Sequence, residues 1–159
     1  MTLELWLRCA YRPALSLLPA RMDSEVAAVV ILAICLQESE LRHRRQMGEG
    51  PARGYLQFEL IGLTEVFRNP ASQAAALALA TALDYDYPAS PLYQLHHAME
   101  HNDVLSAGIA RLALWRHPSP LPTDQDACWG QYVDIWAPGK PRPADWPDSY
   151  GRAVEAVLG

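Results

Sequence analysis

The longest run of apolar residues covers positions 26–36 and is apolar on nearly every side of a helix. Asp23 or Ser24 suits the N-cap before it, and Glu25 suits the first turn, where a negative charge is favourable. A helix that is apolar all round lies at the centre of a fold. The pattern therefore predicts a buried central helix that ends near Ser39, where charged residues begin.

Helical patterning also dominates the rest of the chain, whereas the stretch 47–54, with three glycines and a proline, must be a loop or tight turn. The sequence predicts a mainly α fold with six to eight helices and at most a small β-hairpin. Besides the central helix, the predicted helices cover residues 13–18, 63–67, 92–101, 103–115, 124–136 and 146–158, with an alanine-rich helix opening at Pro70.

The 159 residues suit a single domain, 1–159, with 1–20 as an N-terminal segment that packs on it. A net charge of −5 gives no electrostatic reason to expect nucleic acid as a partner. The longest apolar run is too short to cross a bilayer, so stable membrane insertion is not expected. The first residues do not resemble a signal peptide, and three cysteines without a CxxC pair indicate synthesis in a reducing cytoplasm.

A metal site is not expected, although His97 and His101 are four positions apart on a predicted helix. The zinc-protease pattern places a glutamate directly after the first histidine, and here that residue is Ala98. The histidines are therefore interpreted as part of a polar helix face. No cofactor is expected either.

Glu38 is the main candidate for chemistry, because it stands where the central apolar helix ends. Loss of water and the negative end of the helix dipole would both raise the pKa of a carboxyl group there. A carboxylic acid that stays protonated near neutral pH is what a glycosidase needs to protonate a leaving oxygen. The alternative is an ordinary surface residue that pairs with Arg42, Arg44 or Arg45.

Two short motifs support the catalytic interpretation: Gln-Glu-Ser at 37–39 and Gly-Tyr-Leu-Gln at 54–57. Together they resemble the goose-type lysozyme and lytic transglycosylase branch of the lysozyme-like superfamily, and 50–59 resembles its phage- and prophage-encoded members. The resemblance implies a lysozyme-like fold with Glu38 as the catalytic acid. It also implies a sugar cleft lined by Ser39, Gly54, Tyr55, Leu56 and Gln57.

The implied reaction is cleavage of the β-1,4 bond between N-acetylmuramic acid and N-acetylglucosamine in the glycan strand of peptidoglycan. A lytic transglycosylase needs no second carboxylate, whereas a hydrolase uses a second acid or a positioned water. Glu49 and Glu59 are the candidates for that second acid. Gln57 offers a donor and an acceptor to a sugar, or else holds the loop backbone. Access to the wall would require a holin-like pore or a place in a virion.

One departure from the family keeps other interpretations open. Residues 102–115 occupy the place of an Ala-Tyr-Asn-Ala-Gly-like helix, but only Ala107 and Gly108 match it. Either another aromatic residue, such as Tyr85, Tyr87 or Tyr93, replaces the missing tyrosine, or the cleft is altered. The alternatives are a non-catalytic lysozyme-like protein with a phage structural or wall-binding role, and an unrelated helical protein.

Overall fold

Eight helices follow one another in a computed structural model that describes residues 1–159, and no sheet is formed. The prediction of a mainly α fold is confirmed. The first helix, α1, has three consecutive parts, Leu3–Trp6, Leu7–Tyr11 and Arg12–Ser16, of which the middle one is π-helical. The others are α2 Glu25–Ser39, α3 Leu60–Arg68, α4 Gln73–Ala82, α5 Leu92–Ala98, α6 Asp103–Trp115, α7 Gln125–Trp136 and α8 Trp146–Leu158.

Helix α2 is the buried central helix that the apolar run predicts. The Ser24 side chain accepts a hydrogen bond from the backbone N–H of Ala27, and Glu25 lies in the first turn. Every side chain from Ala27 to Gln37 is buried. The helix ends because Glu40 adopts a left-handed conformation, with φ 50°, and its N–H closes the last turn on the carbonyl of Leu36.

Helix α8 packs antiparallel to α2 and covers it along its length. Ser149, near the start of α8, bonds to Gln37 at the end of α2, and Val157, near the end of α8, lines a cavity together with Ala28. Trp146, Ser149 and Ala153 are the buried residues of α8, at the three- and four-residue spacing of one helix face. The end of α2 therefore lies beside the start of α8.

The first helix begins ten residues earlier than predicted, at Leu3 instead of residue 13. Thr2 caps it by accepting a hydrogen bond from the N–H of Leu5. The proline at 13, which suggested a helix start, lies inside the helix directly after the π-helical turn. This wider turn relieves the clash between a proline ring and the carbonyl four residues before it. Trp6, Tyr11 and Leu15 are buried and belong to the hydrophobic core.

The remaining helices match the predicted positions, with shifts at their ends. The helices predicted at 103–115 and 146–158 have those bounds, and α7 starts one residue after its cap Asp124. The helix predicted at 63–67 extends to Leu60–Arg68, and the one predicted at 92–101 ends at Ala98. The alanine-rich helix begins at Gln73 rather than at the proline, after a turn.

Residues 40–59 form an irregular loop that leaves the end of α2 and returns to it. Its only β-type pairings are two isolated bridges, Arg45 with Arg53 and Arg53 with Phe58. Gly54 takes φ 73°, and the added Cβ of an alanine there would lie 2.6 Å from the carbonyl oxygen of Met99. The loop is therefore packed tightly against the turn after α5.

Candidate functional site

Glu38 lies in the last turn of α2, and its side chain is half-buried. The residues before it in the helix are enclosed in the core, whereas Glu40 after it is exposed. The carboxylate therefore stands at the boundary between core and solvent. It also lies at the helix end where the dipole disfavours negative charge.

A tyrosine from a distant part of the chain holds the Glu38 carboxylate. The hydroxyl of Tyr132, on α7, donates a hydrogen bond to Oε1 of Glu38 over 2.6 Å. Tyr132 is buried, and its ring stacks on that of Trp146 with centroids 5.4 Å apart. Oε2 of Glu38 makes no hydrogen bond within the protein, yet it is not enclosed. Glu38 is thus anchored through one oxygen and offers the other to a ligand.

The surroundings raise the pKa of Glu38 above the ordinary value for glutamate. Burial is the main cause, because the charged carboxylate loses water. The hydrogen bond from Tyr132 and the positive charge of Arg142 lower the pKa in part, and the negative charge of Glu59 raises it. Burial and the charge of Glu38 also raise the pKa of Tyr132, which keeps its proton for this hydrogen bond.

The loop with the Gly-Tyr-Leu-Gln motif is fastened to the end of α2 and to α7. The Ser39 hydroxyl donates to the backbone carbonyl of Tyr55 over 2.7 Å. The indole N–H of Trp136, on α7, donates to the carbonyl of Leu56 over 2.9 Å. The two motifs that carry the family resemblance are therefore in direct contact, across sixteen positions of sequence between Ser39 and Tyr55.

The structure gives most residues of these motifs a supporting role. Ser39, Gly54 and Leu56 are buried and shape the loop. The contact with substrate that the resemblance implies would require these residues to be exposed. Tyr55 is 8% exposed. Gln57 is partly exposed, and its side-chain amide donates to the carbonyl of Gly54 over 2.8 Å, which is the backbone-holding alternative.

The two candidates for a second acid lie in different surroundings. Glu49 is exposed in the glycine-containing turn, with φ 63°, and forms no ion pair. Glu59 is exposed just before α3, and its charge raises the pKa of Glu38. Of the two, Glu59 is the acid that acts electrostatically on Glu38.

Aromatic side chains of α7 and α8 surround Tyr132, the residue that holds Glu38. Trp136 is partly exposed, and its ring centroid lies 5.0 Å from that of Phe58 and 6.3 Å from that of Tyr132. Trp146 is buried beneath Tyr132. Trp129, also on α7, is partly exposed as well, and its ring centroid lies 5.3 Å from that of Tyr132. Trp129 and Trp136 therefore both combine partial exposure with a place beside the tyrosine that holds Glu38.

The basic stretch 42–46 is paired within the protein. Arg44 forms a two-pronged ion pair with Asp103, at 2.6 and 2.7 Å, and its Cζ lies 4.2 Å from the ring centroid of Tyr55. Arg45 and Arg53 both reach the carboxylate of Glu100, part of the turn between α5 and α6. These arginines tie the loop to that turn and leave Glu38 unpaired by any of them.

Three histidines lie in α5 and in the turn that follows it. The Nε2–H of buried His96 donates to the carbonyl of Phe58 over 2.8 Å, and burial lowers the pKa of this imidazole. His97 and His101 are exposed. No group of three or more potential metal ligands is formed anywhere in the chain.

Helix α6, in which the resemblance expects an Ala-Tyr-Asn-Ala-Gly-like segment, is part of the core. Ala107 and Gly108 are buried, and Gly108 faces Leu79. Tyr85 bonds to Asn102 instead of facing Glu38. The aromatic residue that does contact Glu38 is Tyr132, which sequence reasoning did not assign a role.

Arg142 is a second group that sequence reasoning missed. It follows the turn at 138–141 and donates to the backbone carbonyl of Gln37, the residue before Glu38. No spacing rule links positions 105 residues apart. For Tyr132 and Trp136, the one available signal was their four-residue spacing, which puts both on one face of α7.

Two cavities, of about 580 and about 480 Å³, lie elsewhere. The first lies between α1, the start of α2 and the end of α8, and the second beside Cys9 and Asn102. Glu38 lines neither, so the polar geometry around Glu38, rather than cavity size, identifies the candidate site.

No protein-family model, curated protein or solved structure matches this chain. None of its helices has the length and apolar character needed to span a membrane.

Proposed function

We propose that this protein cleaves the glycan strand of peptidoglycan at the β-1,4 bond between N-acetylmuramic acid and N-acetylglucosamine, with Glu38 as the general acid. One observation carries the proposal: Glu38 is half-buried at the end of a core helix, Tyr132 binds one of its oxygens, and the other is free. This is the arrangement that a proton donor to a glycosidic oxygen requires.

The hydrogen bond determines which oxygen carries the proton. The Tyr132 hydroxyl donates to Oε1, so Oε1 acts as the acceptor and the acidic proton of neutral Glu38 resides on Oε2. Burial raises the pKa of Glu38 and enlarges the fraction that is protonated near neutral pH. Transfer of this proton to the glycosidic oxygen releases one sugar as the alcohol, and positive charge develops at the anomeric carbon.

Two routes complete the reaction. In the first, the Glu38 carboxylate takes the proton of the substrate's own 6-hydroxyl, whose oxygen attacks the anomeric carbon and closes an anhydro ring. In the second, a water attacks the anomeric carbon, and Glu59, whose charge already acts on Glu38, takes one proton of that water. The first route returns the proton to Glu38 directly, whereas in the second it passes from Glu59 to Glu38 through solvent. The products differ, because the first leaves anhydro ends and the second reducing ends.

The test is the loss of turbidity of purified sacculi, with wild type compared to Glu38→Gln. The variant keeps the shape of the side chain but has no acidic proton, so clearing should fall at least 100-fold. Glu65→Gln, which changes an exposed acid on α3, is the matched control and should clear normally. Equal clearing by wild type and Glu38→Gln excludes Glu38 as the acid. Mass analysis of the released sugars distinguishes the two routes.

A non-catalytic wall-binding or phage structural role is the second candidate. It is favoured by the burial of Ala107 and Gly108, which removes the family's sugar-contacting helix from the surface near Glu38. This role predicts that wild type binds sacculi in a sedimentation assay without releasing any soluble sugar.

For either role, the expected synthesis in the cytoplasm means that the protein has to reach the cell wall. The protein would act at the cell wall after passage through a holin-like pore, or as part of a phage particle. Neither cleavage nor binding requires a cofactor in the chemistry described above.

A further inference from the structure

The segment 137–143 crosses the end of α2 and brings Arg142 next to Glu38. Arg142 donates from its guanidinium to the backbone carbonyl of Gln37, and the side-chain amide of Gln37 donates back to the carbonyl of Arg142 over 2.9 Å. The Ser149 hydroxyl donates to the other end of the same amide over 3.3 Å. These reciprocal bonds hold Arg142 in place one residue away from the proposed acid.

Most donors of Arg142 remain available. A guanidinium has five N–H groups, and here one binds Gln37 while another faces the carboxylate of Asp145 at 3.5 Å. The side chain of Arg142 is 54% exposed and that of Asp145 is 55% exposed. An ion pair that is this exposed is weak, so a ligand carboxylate can displace Asp145 at little cost.

The charge of Arg142 reaches the reacting groups. It lowers the pKa of both Glu38 and Tyr132, because a positive charge nearby favours their ionised forms. Lys140 is also exposed in this segment but makes no hydrogen bond or ion pair that would fix its position. Arg142 is therefore the one positioned cation next to Glu38.

We propose that Arg142 binds a carboxylate of the substrate beside the bond that Glu38 protonates, and thereby selects strands that contain N-acetylmuramic acid. This inference rests on the function proposed above. A guanidinium binds a carboxylate through two parallel hydrogen bonds, which gives direction as well as affinity. N-acetylglucosamine has no carboxylate. The muramyl unit carries one on its lactyl group in a peptide-free strand, and others on its stem peptide in a peptide-bearing strand.

The experiment compares three substrates with the same β-1,4 linkage: a chitin oligosaccharide, a peptide-free glycan strand and a peptide-bearing strand. The variant is Arg142→Gln, and the matched control is Arg152→Gln, which removes another exposed arginine of an ion pair, on α8. We expect Arg142→Gln to lower kcat/KM on a carboxylate-bearing strand about 10-fold or more relative to chitin. Arg152→Gln should leave that ratio unchanged.

The ratio of kcat/KM on a carboxylate-bearing strand to kcat/KM on chitin separates substrate binding by Arg142 from its effect on the pKa of Glu38. Loss of the positive charge changes the pKa of Glu38 for every substrate alike, so this effect cancels between strands. A loss confined to the peptide-free strand identifies the lactyl carboxylate, and a loss confined to the peptide-bearing strand identifies the stem peptide. Arg142→Lys keeps the positive charge but cannot form two parallel hydrogen bonds with a carboxylate, so it should give an intermediate ratio.

Two other outcomes separate this inference from the proposed function. If wild type cleaves the strands and Arg142→Gln leaves the ratio unchanged, the inference is overturned and the function stands. If wild type cleaves nothing, calorimetric binding of the same strands decides. If wild type prefers the carboxylate-bearing strand and Arg142→Gln abolishes this preference, Arg142 forms a carboxylate-binding site in a protein that does not cleave. If wild type shows no such preference, both the inference and the proposed function are overturned. Circular dichroism melting of each variant shows whether it is folded.

Discussion

The Tyr132 hydroxyl donates a hydrogen bond to Oε1 of Glu38 across 94 positions of sequence, and the O–O distance is 2.6 Å. One partner lies in the last turn of the central helix and the other on the helix before the last. The bond converts a glutamate at a helix end into an oriented acid with one free oxygen. It is therefore the contact that links the fold to the proposed chemistry.

Tyr132→Phe removes this hydrogen bond and keeps the ring. Because the bond stabilises the charged carboxylate, its loss should raise the pKa of Glu38. The alkaline limb of the pH–rate profile, where the acid loses its proton, should therefore move to higher pH. We also expect kcat to fall about 10-fold, since Glu38 is no longer oriented. The profile is measured with sacculi between pH 4 and pH 9 (roughly the range of carboxyl and imidazole titration).

Tyr150→Phe is the matched control for this experiment. It removes a tyrosine hydroxyl of α8 that bonds to the carbonyl of Thr123 and does not touch Glu38. Its alkaline limb should coincide with that of wild type. An alkaline limb of Tyr132→Phe that stays in place, or moves to lower pH, would contradict the role assigned to the bond.

Glu38→Gln should make the fold more stable, and increasingly so at higher pH. The folded-state pKa of Glu38 is raised, so the folded protein binds a proton more tightly than the unfolded chain does. The stability associated with this proton is fully present below the unfolded pKa and is lost as pH rises through the folded pKa. Urea unfolding at about pH 4 and about pH 8, on either side of a raised glutamate pKa, measures the difference. If Glu38→Gln increases the free energy of unfolding more at the acidic pH than at the alkaline pH, the pKa of Glu38 is not raised.

Ser39→Ala tests the attachment of the loop to α2. The variant leaves the backbone carbonyl of Tyr55 without its buried partner, and we expect a loss of about 1–3 kcal/mol in the free energy of unfolding. Ser16→Ala removes an exposed hydroxyl that bonds to the carbonyl of Pro13, and should change stability by about 0.5 kcal/mol or less. Urea unfolding of the two variants gives the comparison. Similar losses in both would show that Ser39 does not fasten the loop.

Two glycines in the same loop separate backbone strain from lack of space. Gly54 and Gly48 have nearly the same φ, 73° and 75°, but an added Cβ at Gly54 would meet Met99, whereas at Gly48 it meets nothing within 4 Å. We expect Gly48→Ala to cost about 1 kcal/mol, from strain alone, and Gly54→Ala about 2–4 kcal/mol. Thermal unfolding of both variants measures the difference. Equal costs would show that the loop is not packed against the turn after α5.

Much of the fold is predictable because its signals are local. Helices α2, α6, α7 and α8 each combine an apolar pattern with a flanking Ser, Asp or Asn or a proline in the first turn, and their predicted bounds agree closely with the structure. The first helix was predicted too short, because a proline that usually marks a helix start lies here inside the helix, after a π-helical turn. No sequence pattern predicts that irregularity.

The candidate site is predictable only in part. The position of Glu38 follows from the apolar run, and the contact between Ser39 and Tyr55 agrees with the pairing of two motifs. Tyr132 and Arg142 were not predictable, because they reach Glu38 and Gln37 through packing of helices that are far apart in sequence. The use of Gln57 to hold the loop was one of two alternatives that its side chain allows, and only the structure distinguishes them. Burial of Leu56 agrees with its apolar side chain, whereas the resemblance implies that it lines the cleft.

The partners of α2's last turn have a consequence for synthesis of the chain. Tyr132, Arg142 and Ser149 all lie beyond residue 130, whereas Gln37 and Glu38 leave the ribosome about a hundred residues earlier, at a rate of roughly 5–20 residues per second. During that interval of several seconds, Glu38 lacks the hydrogen bond from Tyr132. The site around Glu38 is therefore completed only when α7 and α8 have docked, and the proposed cleavage would require that docking first.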